Sequence, residues 1–175
     1  MIKAVLFDYD GVLTLDKSGS YTICKYISAA AGVDYEAFSA EIRIRHLFDS
    51  FRNTPVNLKM FELVKNVKHT HKTALITDNK KDRMDAVSAH QKLPELFDVI
   101  TVSAVIGTLK DAEPIFKKTV TELGVAFGEC VFVDNQEKNL IVPKKLGSQT
   151  VFFDQKKNDV KALARALKEH GVEIK

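Results

Sequence analysis

The sequence predicts an α/β fold: a three-layer α/β/α core on a mostly parallel five-stranded sheet, with a small helical insertion after the first strand. Three observations carry this. Five short runs rich in Val, Ile and Phe are nearly continuous in apolar character, as strands buried on both faces must be. Helical patterns with one apolar face separate most of them, and strand alternating with helix favours a parallel sheet covered on both sides. One stretch, between Thr14 and Thr54, breaks the alternation with two helical patterns and no strand.

The first strand is read as Ile2 to Phe7 and the second as Lys72 to Thr77. The third runs from Asp98 to Ser103, the fourth from Glu129 to Val133 and the fifth from Gln149 to Phe153. Among the helices, Val56, Met60, Leu63, Val64 and Val67 share a face, as do Ile115, Phe116, Val120 and Leu123. The last helix carries Val160, Leu163 and Leu167 and stops near Gly171. In the insertion, Tyr21–Ala31 and Tyr35–Phe51 are read as a helical hairpin. Gly32 is suited to close the first helix and Asp34 to cap the second. The expected organisation is a core of residues 1–14 and 55–175 with a small helical cap at 15–54, lying over the carboxyl end of the first strand.

At 175 residues, 45% apolar and 28% charged, the chain suits one globular domain able to bury a proper core. A net charge of +3, with basic and acidic residues interspersed, gives no electrostatic case for nucleic acid. No apolar run approaches the ~20 residues that span a bilayer, and Met1-Ile2-Lys3 leads straight into a strand, so a soluble, cytoplasmic protein is expected. Cys24 and Cys130 are read as buried free thiols. The five histidines lack metal-ligand spacing and are assigned no role.

The chemistry gathers at the strand ends. Strand one is followed by Asp8 and Asp10, then Gly11; strand two ends in Thr77-Asp78-Asn79; Lys110 follows strand three after a loop containing Gly107; strand four runs into Asp134-Asn135. In a parallel sheet these residues converge on one edge, outside the carboxyl ends where such folds place their sites. Two carboxylates with backbone carbonyls suit Mg²⁺, a hard cation that takes oxygen ligands. A lysine and a hydroxyl beside it suit a phosphoryl group, whose transfer depends on positioning and charge neutralisation.

Taken in order, these motifs resemble the haloacid dehalogenase (HAD) superfamily, in its phosphatase branch with a helical cap after strand one. D-Y-D-G-V-L-T is similar to the family's D-x-D-G-T/V-L-T/x, and I-T-D-N carries its strand-two Ser/Thr. K-D-A-E-P-I-F resembles K-P-x-P-x-I-F, and V-F-V-D-N-Q-E-K-N resembles the final acidic motif, V-D-D-x-x-x-N. The match covers the whole core and implies a Rossmann-like architecture with a reduced cap. It further implies a Mg²⁺-dependent phosphate monoester hydrolase working through an aspartyl-phosphate on a small phosphorylated metabolite.

On that resemblance Asp8 would be the nucleophile. Asp10 would be the general acid and then the base, with its carbonyl on the metal. Thr77, Asp78, Asn79 and Lys110 would hold the phosphoryl group, Lys110 also neutralising its charge. Asp8, Asp10 and Asp134 would form the Mg²⁺ site, with Asn135 and Asn139 as supporting residues. For Asp78, capping the helix that begins near Lys80 is an equal alternative.

Two departures stand out: Asn135 lies where many relatives carry a second acid, and the cap is small. The first implies weaker metal binding; the second implies a bulky substrate, loose selectivity or a lid completed by a partner. Arg43, Arg45 and Arg52 could face an anionic substrate or simply be solvated. A phosphomutase, or a catalytically weak binding or regulatory protein, is the alternative. A 2-haloacid dehalogenase is disfavoured, because a departing halide needs no proton from Asp10. The expected partner is a small phosphate ester, bound by a monomer or homodimer, with no nucleic acid or membrane.

Overall fold

The computed structural model describes residues 1–15 and 54–175. Its elements, numbered here over those residues, are β1 (Ala4–Phe7), α1 (Leu58–Lys68), β2 (Lys72–Thr77), α2 (Lys81–Gln91), α3 (Leu93–Leu96) and β3 (Val99–Val102). There follow α4 (Ser103–Ile106), α5 (Glu113–Leu123), β4 (Cys130–Asp134), α6 (Glu137–Lys145), β5 (Gln149–Phe152) and α7 (Val160–Glu169). The five strands form one sheet in the order β3-β2-β1-β4-β5, and every pairing is parallel.

All four residues of β1 are buried, and they divide between the two faces of the sheet. Val5 and Phe7 pack with Met60, Val64 and Leu167, whereas Ala4 and Leu6 pack with Ile115, Phe116 and Val120. The strand is apolar at every position because both faces are covered, the reason parallel strands lose the alternating pattern. Strand ends move by one or two residues from the expected ones. Lys3, for example, donates its N–H to Glu129 O but lies outside β1, and Ser103 opens α4 rather than closing β3. The short helices α3 and α4 have too few turns to show a periodicity in sequence.

The strand order turns on β1: the chain builds outward through β2 and β3, then crosses to β4 and β5 on the other side. A crevice forms where the order reverses. Register finishes the arrangement. Phe7 pairs with Val133, so the next residues, Asp8 and Asp134, emerge side by side.

At the other end of the loop after β1, Thr14 forms an antiparallel bridge with Val56, and Leu15 N–H donates to Pro55 O at 3.0 Å. The chain therefore leaves and re-enters the core at adjacent points. The helical hairpin, Cys24, Arg43, Arg45 and Arg52 lie outside the described residues. Among the described residues no helix is long and apolar enough to cross a membrane.

Candidate active site

The loop after β1 turns sharply at Gly11, which sits at φ +80°. That region strains any side chain with a Cβ, and one built here would also collide with Asn135 Nδ2 and Gln155 Oε1. Gly11 thus lets the loop lie close against the end of β4. Asp8 and Asp10, just ahead of this turn, enter the crevice from one short segment.

Asp8 is 3% exposed, and its Oδ1 lies 2.7 Å from Lys110 Nζ. The same ammonium is 2.7 Å from Asp134 Oδ2, so one buried lysine bridges two buried acids. Lys110 reaches this place because its own N–H donates to Asp78 Oδ1 at 3.0 Å, and its Nζ lies 5.9 Å from the centre of the Phe132 ring. Burial alone would lower the lysine's pKa, but Asp8 and Asp134 outweigh it and hold the group charged. For Asp8 burial dominates. It pushes the carboxyl up to about 7 despite Lys110 pulling the other way, with Asp134 and Asp10 adding repulsion.

Asp134, 0% exposed, is anchored more thoroughly than any other acid here. Its Oδ1 accepts from Gln136 N–H at 2.8 Å, and Asn139 Nδ2 lies 3.2 and 3.1 Å from its two oxygens. Asn139 therefore orients Asp134 rather than merely sitting on α6. The neighbouring Asn135 donates from Nδ2 to Gln155 Oε1, while its Oδ1 is buried with no hydrogen-bond partner among the described residues.

Asp10 is held differently. Arg83, 2% exposed on α2, donates from NH1 to Oδ2 and from NH2 to Oδ1, each at 2.8 Å. Asn79 Nδ2 adds a third donor to Oδ2 at 2.8 Å and also donates to Thr77 Oγ1 at 2.9 Å. The Arg83 guanidinium lies 5.5 Å from the centre of the Tyr9 ring, and Tyr9 Oη donates to Gln91 Oε1 at 2.9 Å.

The described residues contain no group of three or more His, Cys, Asp or Glu side chains arranged around a metal. A mixed oxygen set nonetheless suits a hard cation. The Asp8 carboxylate, the Asp10 carbonyl, Asp134 and the unpartnered Asn135 Oδ1 are the oxygens that would hold Mg²⁺. An orphaned buried oxygen costs free energy unless something meets it, and a cation or its water would do so. Charge agrees: among the described residues, the ion pairs of Asp8, Asp10 and Asp134 are with Lys110 and Arg83, two cations for three acids.

Solved structures with the same architecture were found across the length of the chain. A HAD phosphatase from Thermococcus onnurineus aligns over 99% of this chain and 100% of its own, with a TM-score of 0.74 at 18% identity. The chain has the HAD-like fold. A HAD family enzyme from Bacteroides thetaiotaomicron, in complex with magnesium and inorganic phosphate, aligns over 93% of this chain and 99% of its own, with a TM-score of 0.72 at 17% identity. An L-2-haloacid dehalogenase from Xanthobacter autotrophicus aligns over 99% of this chain and 85% of its own, with a TM-score of 0.67 at 18% identity. No family model matches the sequence, and no curated protein matches it either. The HAD-like fold hosts more than one chemistry, so the side chains must decide between them.

Every expected residue outside the insertion reaches this edge of the HAD-like core. The helix-capping alternative for Asp78 is corrected. The N-cap of α2 is Lys80, and the Asp78 carboxylate instead receives the Lys110 N–H, so it orders the lysine loop and caps nothing. Burial raises its pKa. Asn79 proves to be a hub, touching Asp10, Thr77 and Arg83, the last through Oδ1 at 2.5 Å from NH1. Two site residues escaped the sequence reading. Arg83 left a usable signal: it lies four residues before Val87 on the buried face of α2, where a charge needs a partner. Gln155 left none, since nothing local marks a glutamine in a turn.

Proposed function

We propose that this protein is a Mg²⁺-dependent phosphate monoester hydrolase that forms an aspartyl-phosphate on Asp8. The observation that carries the reading is a buried carboxylate, Asp8, held by Lys110 at the switch point of the sheet, with a second acid two residues on. Mg²⁺, when bound, screens the negative charges of nucleophile and phosphoryl group and aligns them.

Asp8 attacks phosphorus as the bond to the leaving oxygen breaks, and Lys110 stabilises charge on the transferring group. Asp10 gives its proton to the departing alkoxide. It then takes a proton from the water that cleaves the phosphorus–Asp8 bond. On this reading Thr77 and the Asn79 amide would hold phosphoryl oxygens, the amide giving up its bond to Asp10 or Thr77 to do so. Asp10 also argues against haloacid dehalogenation, since expelling a halide requires no acid.

A catalytically weak binding protein is the second reading. It is favoured by the neutral Asn135 and by the engagement of both Asp10 oxygens with Arg83. Hydrolysis of sugar phosphates, nucleotides, phosphoglycolate and p-nitrophenyl phosphate with Mg²⁺, beside an Asp8→Asn control, separates the two. Turnover abolished by the substitution supports the enzyme, turnover that survives it refutes the covalent route, and no turnover on any compound favours the binding protein.

A further inference from the structure

The geometry points to Arg83 as a positioning residue that latches Asp10 in a resting orientation and limits how readily it serves the leaving group. This rests on the phosphatase reading above and adds a control element to it. A guanidinium has only donors, so a carboxylate that meets it through both oxygens is an acceptor at both. With Asn79 also donating to Oδ2, a proton on Oδ2 would point at an N–H. To reach a leaving oxygen, Asp10 must turn at least one oxygen out of this grip.

The parts differ in their freedom to move. The Arg83 side chain is 3% exposed, braced by Asn79 Oδ1 and stacked near Tyr9, which α2 grips again through Gln91. The Asp10 side chain is 23% exposed, against 4% for Asp8 and 0% for Asp134. The anchor stays and the acid swings. Asp10 is the one carboxylate of the three with space toward solvent.

In the first step the phosphorus–oxygen bond to the alcohol breaks, the Asp8–phosphorus bond forms, and the Asp10 proton passes to the alkoxide. An alkyl leaving group needs that proton. A p-nitrophenolate leaves without it. The latch therefore slows alkyl phosphates selectively.

The test measures kcat/KM for ethyl phosphate and p-nitrophenyl phosphate with Mg²⁺ in the wild type, Arg83→Met, Arg83→Lys and Asp10→Asn. The alkyl-to-aryl ratio is expected to rise about tenfold in Arg83→Met, the scale of one charge-assisted bidentate contact. A smaller rise is expected in Arg83→Lys, which keeps the charge but loses the fork. In an Asp10→Asn background, Arg83→Met should leave the ratio unchanged. A merely structural role would lower both substrates together, and an unchanged or falling ratio in the single variants overturns the latch. Should Arg83→Met fail to fold by circular dichroism, the lysine variant alone decides by the same criterion. Wild-type turnover with no rise sinks the latch and spares the phosphatase reading; no wild-type turnover of either ester sinks both.

Discussion

Asp8→Asn should stabilise the metal-free protein, and the gain should depend on pH. In the unfolded chain Asp8 ionises near its ordinary 3.8, whereas burial moves it to about 7 in the folded state. Between those values the unfolded chain sheds a proton that the folded one retains, so folding weakens as pH rises through this window. Above pH 7 the full penalty stands, and below about pH 4 it vanishes. At ~1.36 kcal/mol per unit, the shift sets a ceiling of about 4 kcal/mol. Asparagine keeps a carbonyl oxygen for Lys110 but removes the charge opposing the ammonium, which offsets part of the gain. About 2 kcal/mol at pH 8 is expected, a rise in Tm of roughly 5 °C for a chain of this size. Thermal and urea melts of both forms in chelator, from pH 4 to 8, measure it. The difference should start near zero and widen with pH. A gap that is flat with pH, or a variant less stable than wild type at pH 8, refutes the reasoning. Mg²⁺ should then narrow the gap, because it stabilises the form that keeps the carboxylate.

Gly11→Ala should cost about 1–2 kcal/mol by chemical denaturation, since alanine at φ +80° is strained and its methyl must displace Asn135 and Gln155. Asn135→Asp should tighten Mg²⁺ binding about tenfold in calorimetric titration, with the Gln155 amide turning to present its NH₂ to the new carboxylate. Asn139→Ala should lower stability by roughly 1–2 kcal/mol in urea melts, because the buried Asp134 loses its side-chain amide donor. Cys130, whose thiol burial pushes up to about 12, should resist Ellman's reagent at pH 8 in a Cys24→Ser background and react at once in denaturant.

Much of the site could be read from the chain because its signals are local. The strand β2 occupies the Lys72–Thr77 run expected of it, and each acid sits directly after the apolar run that carries it. Asp8 and Asp134 share a sheet edge for the same reason: parallel strands of similar length end at one level. In the sequence Asp78 stands open between binding a phosphoryl group and capping α2, because a carboxylate just before a helix carries no local mark of the loop, 32 residues away, that it holds. The choice depends on where the loop after β3 returns.

By itself the sequence determined the order of strands and helices, the identity of the acids, and the lysine and hydroxyl that accompany them, since backbone periodicity and chain punctuation are short-range. Only the tertiary structure decided what each group faces. It put Lys110 between two acids, closed Arg83 on Asp10 across 73 residues of sequence, and left Asn135 Oδ1 buried without a partner among the described residues. Those contacts arise from strand register and helix packing, which bring together side chains whose local surroundings carry no mark of each other.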